Sequence, residues 1–204
     1  MGGVAAAWAA ARKGHRVCLM EETDWLGGQM TSQGVSALDE HEYIETFGGT
    51  RSYYELCETI RTHYRKLADK NRADEPLNPG RCWVSRLGFE PRVAVAAVED
   101  LLEPYIEARL LVVSLRTKSV AADTKGDRVT SVTAVNLDHG NYTRFAFSYV
   151  LDATELGDLL PLTGTEYVVG AESIAQTNEP HAQPDAAMPA ELHVYLRHGT
   201  PAGR

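Results

Sequence analysis

The chain has 204 residues, 44% of them apolar and 24% charged, and a formal net charge of −8. An acidic chain with no run of Lys and Arg excludes nucleic acid as the main partner, because phosphate neutralisation needs clustered basic side chains. No apolar stretch approaches the roughly 18 residues of a membrane-spanning helix. The alanine-rich start is followed by Arg12-Lys13-Gly14 and not by a signal-cleavage pattern, so a cytoplasmic location is expected. Cys18, Cys57 and Cys82 are odd in number and widely spaced. They make neither a disulfide framework, nor a C-x-x-C redox pair, nor an iron–sulfur ligand run, and are read as three reduced, mostly buried thiols.

Residues 1–29, MGGVAAAWAAARKGHRVCLMEETDWLGGQ, run as glycine turn, small-residue helix, Gly14 break, apolar strand, acidic residue and second glycine pair. This is the order of parts in the first βαβ unit of a dinucleotide-binding domain. Gly2 and Gly3 allow a phosphate close to the backbone and a helix start tight against a sheet. The helix N-terminus offers unpaired N–H groups to an anion. Val4 to Ala11 is small and apolar, which suits a helix packed on a sheet, and Gly14 is the expected C-cap. Val17 to Met20 reads as a short buried parallel strand, the second of its unit. Glu21 ends it, eighteen positions after Gly3, close to the roughly 20-residue spacing at which a carboxylate accepts hydrogen bonds from an adenosine ribose. Glu22 is the alternative. A full G-x-G-x-x-G has a first strand and two earlier glycines before this point, so the sequence reads as truncated at its N-terminus.

Met30 to Gly49 is polar and contains Asp39, Glu40, His41 and Glu42 in one short stretch. That grouping lacks the separated spacing of metal ligands, so a solvated loop is expected and no metal is assigned. From Arg51 to about Ala68, Tyr54, Cys57, Ile60, Tyr64 and Leu67 recur at three and four, with Glu55, Glu58, Arg61 and Arg65 on other faces, predicting an amphipathic helix. Asn71 to Pro79 reads as a surface connection. A second helix is expected to start at Pro91 and to bend or end at Pro104. Residues 110–151 change to strand character. LLVVSLR reads as one strand, and SVAAD, RVTSVTAVNL and Tyr142 to Leu151 as a meander, with turns at Lys125-Gly126-Asp127 and Asp138-His139-Gly140-Asn141. Beyond Glu179 the chain collects prolines and loses periodicity, and residues 180–204 read as an irregular, disordered or aberrant tail.

Two blocks carry a family resemblance: GGVAAAWAAARKGHRVCLMEETDWLGGQMTSQGVS and YVLDATELGDLLPLTGTEYVVGAES, about 120 residues apart. Together they resemble the FAD-dependent oxidoreductases of glutathione-reductase-type architecture, including relatives described as heterodisulfide-reductase-subunit-A-like. The resemblance covers roughly Gly2 to Glu179. It implies an α/β, Rossmann-like FAD/NAD(P)-binding domain, with a helical segment at about 50–108 and a β-meander insertion at about 110–151. The fold would be incomplete, lacking its first strand and C-terminal part. The resemblance also implies FAD as cofactor, with Gly2, Gly3, Glu21, Glu22, Gly27, Gly28 and Gln29 in the first block and Ala153, Gly157 and Asp158 in the second as binding residues. In the family the chain returns to the parallel sheet at Tyr149 to Asp152, and Asp158 has the chemistry to accept a ribityl or ribose hydroxyl. Glycine is common where Glu155 stands, so contact at that position is not carried over. No catalytic residue is assigned, because no acid, base or nucleophile pair stands out. The expected activity is flavin-mediated hydride or electron transfer on a small-molecule substrate. A nicotinamide-dependent dehydrogenase and an inactive fragment unable to hold FAD are the alternatives.

Overall fold

The structure, a computed structural model, describes residues 1–38, 41–67, 77–167, 172–182 and 184. Asp39 and Glu40, most of the 71–79 connection and most of the tail lie outside the described residues. The described chain falls into two units. One comprises Met1–Lys118 with Asn136–Gly140, the other Ser119–Val135 and the chain from Asn141.

The first unit starts with helix α1 (Gly2–Arg12), whose buried residues Val4, Ala7, Trp8 and Ala11 fall at i, i+3, i+4 and i+7. That spacing makes one apolar stripe on a 3.6-residue helix. The cap residue is Lys13 and not Gly14, but glycine has the role expected of it one position later. Gly14 sits at φ +83°, donates to Ala11 O at 2.9 Å, and lets His15 N–H reach Ala10 O at 3.1 Å. Those two bonds satisfy carbonyls that the last helical turn leaves open.

Strand β1 (Val17–Met20) pairs in parallel with β2 (Leu111–Ser114), Val17 opposite Leu111 and Met20 opposite Ser114. The crossover between them carries α2 (Arg51–Leu67) and α3 (Pro91–Glu107). α1 and α3 supply much of the core, in which Ala94, Val98, Leu102 and Leu111 are almost fully buried and Val17, Leu19 and Val113 pack against it. Cys18, which points to the other side of β1, is exposed, so only Cys57 of the three cysteines is buried. Alternation along a strand explains this, since the core covers one face.

α2 buries Leu56, Cys57 and Ile60, and also Arg61, which the periodicity assigned to an outer face. Its guanidinium has three acceptors: Nη2 donates to Glu45 Oε1 at 2.7 Å and to Arg86 O at 3.5 Å, and Nε to Leu77 O at 3.3 Å. A buried guanidinium is tolerated when its donors are met in this way. α3 begins at Pro91 as expected but runs through Pro104 to Glu107. It then closes with the device used by α1, Arg109 taking glycine's place at φ +57°.

β3 (Thr117–Lys125), β4 (Arg128–Asn136) and β5 (Tyr142–Ala146) form a three-stranded sheet in that order. β4 is central and buries Ser131, Val132 and Ala134. β4 and β5 are antiparallel, with Val132 opposite Phe145. This is the expected meander, yet its last strand stops at Ala146. Tyr149 to Asp152, expected to return to the parallel sheet, has no strand conformation, and among the described residues that sheet consists of β1 and β2 alone. Tyr149 and Leu151 are 88% and 69% exposed. Short helices α4 (Leu159–Thr163) and α5 (Ile174–Thr177) follow among the described residues of the second unit.

Candidate functional site

The first block assembles around the start of α1. The first intrahelical bond runs from Ala5 N–H to Met1 O, so the N–H groups of Gly2, Gly3 and Val4 have no protein acceptor among the described residues. The second glycine pair folds back to this helix start. Met1 N lies 3.4 Å from Gly27 O, and a Cβ on Gly28 would stand 3.4 Å from Met1 N. Gly27 and Gly28 have φ +119° and +58°, and Gly28–Met30 is a single 3-10 turn. A Cβ on Gly27 would lie 2.7 Å from Thr31 Cγ2 and Oγ1. Thr31 is buried and donates to Leu26 O at 2.8 Å, so it is not free to yield. Gln29 is exposed at the rim of the turn.

Glu21 is held at the end of β1 by its own backbone. Its N–H donates to Ser114 O at 3.0 Å, and its carbonyl accepts from Thr117 N–H at 2.9 Å. Its carboxylate uses one oxygen, Oε1, to accept the N–H and hydroxyl of Thr23 at 2.9 and 2.8 Å. Oε2 has no protein donor among the described residues. Glu22 differs: it is exposed, and Lys118 Nζ donates to its Oε2 at 2.8 Å.

The second block belongs to the second unit. Gly157 is buried at φ +66° and Asp158 half-buried, while Ala153 is exposed. Asp152 and Thr154, which the sequence reading passed over, organise the turn. Asp152 Oδ1 accepts the N–H and hydroxyl of Thr154 at 3.0 and 2.7 Å. Its Oδ2 accepts Leu159 N–H at 2.9 Å, and Thr154 Oγ1 accepts Asp158 N–H at 2.7 Å. The repeated acid-x-Thr spacing, in Glu21-x-Thr23 and Asp152-x-Thr154, is the sequence signal that marks both turns.

An open groove of about 700 Å³ beside α2 and α3 is lined by Tyr54, Glu55, Thr59 and Leu101 among others, and by none of the expected cofactor residues. His41 accepts the N–H of Tyr43 on Nδ1 and packs its ring against Phe47. No group of three or more His, Cys, Asp or Glu among the described residues is arranged to hold a metal, and no described helix is long and apolar enough to cross a membrane.

The donor set of the first block fits FAD. Open helix N–H groups beside side-chain-free glycines suit the pyrophosphate, and an open carboxylate oxygen at a strand end suits ribose hydroxyls. The comparison with curated proteins returned no match. Among solved structures the chain is similar to THI4 of Thermovibrio ammonificans, with 16% identity and a TM-score of 0.43, over 82% of this chain and 61% of that one. The family model described as FAD dependent oxidoreductase matches residues 1–199. The α/β architecture, with a parallel pair joined by a helical crossover and an antiparallel meander, is accordingly of the Rossmann-like FAD-binding kind, and FAD is the cofactor. The chain belongs to the FAD-dependent oxidoreductase family.

Proposed function

We propose that the first block is the pyrophosphate and adenosine subsite of an enzyme that oxidises or reduces a small molecule through FAD. The observation that carries this reading is the approach of the two glycine segments, with Met1 N and Gly27 O 3.4 Å apart, beside the open N–H groups of Gly2, Gly3 and Val4. Those groups hold the pyrophosphate, and the Gly27–Gly28 turn keeps side chains out of its way. Gln29, on the exposed side of that turn, donates or accepts at its edge. Glu21 accepts the adenosine ribose hydroxyls on Oε2, while Thr23 holds Oε1 and so keeps the carboxylate in one orientation. In the second unit, taken by itself, Ala153, Gly157 and Asp158 on the turn closed by Asp152 and Thr154 are candidate cofactor-binding residues. When bound, the flavin supplies the hydride or electron exchange with substrate.

A visible spectrum of the purified protein, with titrations of FAD and of a nicotinamide nucleotide, tests the reading. Flavin bands or saturable FAD binding support it. Tight nicotinamide binding without flavin binding, or no binding of either, overturns it.

A further inference from the structure

The Glu21–Asp24 turn is gripped by a residue outside both glycine segments. Arg116 lies at the corner between β2 and β3 with φ +52°, a conformation that L side chains rarely adopt. Its backbone N–H donates to Thr23 O at 3.2 Å, and the next N–H, of Thr117, donates to Glu21 O at 2.9 Å. Between them, Nη1 of Arg116 donates to Glu22 O at 3.4 Å. Three consecutive carbonyls, those of Glu21, Glu22 and Thr23, are thus met by two adjacent residues. The guanidinium is itself anchored: Nε donates to Asp138 Oδ1 at 3.1 Å and lies 3.4 Å from Asp24 Oδ1. The Arg116 carbonyl accepts Leu137 N–H at 2.7 Å.

We infer that Arg116 is a positioning residue for FAD. It fixes the backbone of the 21–24 turn so that the open oxygen of Glu21 meets the ribose, and Asp138, on the turn after β4, holds its guanidinium in place. Glycine would adopt the same φ without strain, yet it would leave Glu22 O without its donor and Asp24 and Asp138 without their cation. A left-handed arginine here is explained by what its side chain reaches. The inference rests on the assignment of Glu21 to the ribose.

The test compares Arg116→Gly, Glu21→Ala and the double variant by titration with FAD and with FMN, which has no adenosine half. Arg116→Gly is expected to keep its melting temperature within about 4 °C of the parent, because relief of the left-handed backbone offsets the loss of exposed ion pairs. It is expected to weaken FAD binding by about three- to ten-fold and to leave FMN binding unchanged, and the double variant should bind FAD no more weakly than Glu21→Ala alone. If Arg116→Gly does not fold, Asp138→Ala, which removes the acceptor of the Arg116 Nε hydrogen bond and keeps the Arg116 backbone, carries the same comparison. Unchanged FAD affinity in Arg116→Gly beside a loss in Glu21→Ala overturns the role of Arg116 and leaves Glu21's intact. Losses that add in full, or that extend equally to FMN, overturn it as well. No loss in Glu21→Ala overturns the ribose assignment itself.

Discussion

Glu21 and Thr23 close a turn on one carboxylate oxygen: Oε1 of Glu21 accepts both the N–H and the hydroxyl of Thr23, at 2.9 and 2.8 Å. One oxygen is therefore spent on the protein and the other is open to a ligand. Loss of a charge-assisted hydrogen bond costs about 1.5–3 kcal/mol, or roughly ten- to a hundred-fold in affinity. Glu21→Ala is expected to weaken FAD binding by that factor in a titration. Glu22→Ala is expected to change it little, because Glu22 is engaged in an exposed pair with Lys118, of a type worth about 0–1 kcal/mol. The reverse ranking would move the ribose role to Glu22.

Gly27 and Gly14 both have positive φ, but they differ in space. A Cβ on Gly14 meets nothing within 4 Å, whereas one on Gly27 meets Thr31 at 2.7 Å. Gly14→Ala should cost about 1 kcal/mol from backbone strain alone. Gly27→Ala should cost more, about 2–3 kcal/mol, since the buried Thr31 must also move. Denaturant melts of the two variants decide this, and equal losses would show that the Thr31 contact is absorbed without cost.

Arg109 occupies the position after α3 that Gly14 occupies after α1. With Ala108 as cap, Arg109 N–H donates to Ile106 O at 2.9 Å and Leu110 N–H to Tyr105 O at 2.9 Å, so the left-handed residue is required by the bonding and not by its side chain. Arg109→Gly is expected to raise stability by about 0.5–1 kcal/mol. A fall in the thermal midpoint would mean that the Arg109 side chain contributes more than its backbone strain costs.

The meander holds a pH-sensitive contact. Asp123 Oδ2 accepts the Ser131 hydroxyl at 2.5 Å and Arg144 Nη2 at 2.8 Å. The Ser131 bond first, then Arg144, holds the carboxyl below its ordinary range. A carboxylate whose value is lowered on folding adds stability above its unfolded value, about 4, and that stability is lost as the pH falls through the folded value. The advantage of the parent over Asp123→Asn should be constant near neutrality and shrink below about pH 4. Parallel melting curves from pH 7 to 3 would remove Asp123 from the account.

The order of elements in the first unit was legible from the sequence because each follows from local chemistry. The stripe of Val4, Ala7, Trp8 and Ala11, the glycine at position 14, the apolar run to Met20 and the proline at 91 all act within a turn or two of themselves. The Gly27–Gly28 pair was legible for the same reason, since a backbone with positive φ demands glycine locally. What only tertiary structure decided involves partners distant in the chain. Arg61 is buried because Glu45, Leu77 O and Arg86 O converge on it, which no periodicity encodes. Tyr149 to Asp152 has strand composition but pairs with no strand among the described residues, and pairing is a property of two segments, not one. Position at the strand end ranks Glu21 before Glu22 in sequence, but leaves Glu22 as an alternative. Their difference arises 90 residues and more away, where Lys118 takes one carboxylate and Arg116 and Thr117 fix the backbone of the turn that leaves the other open.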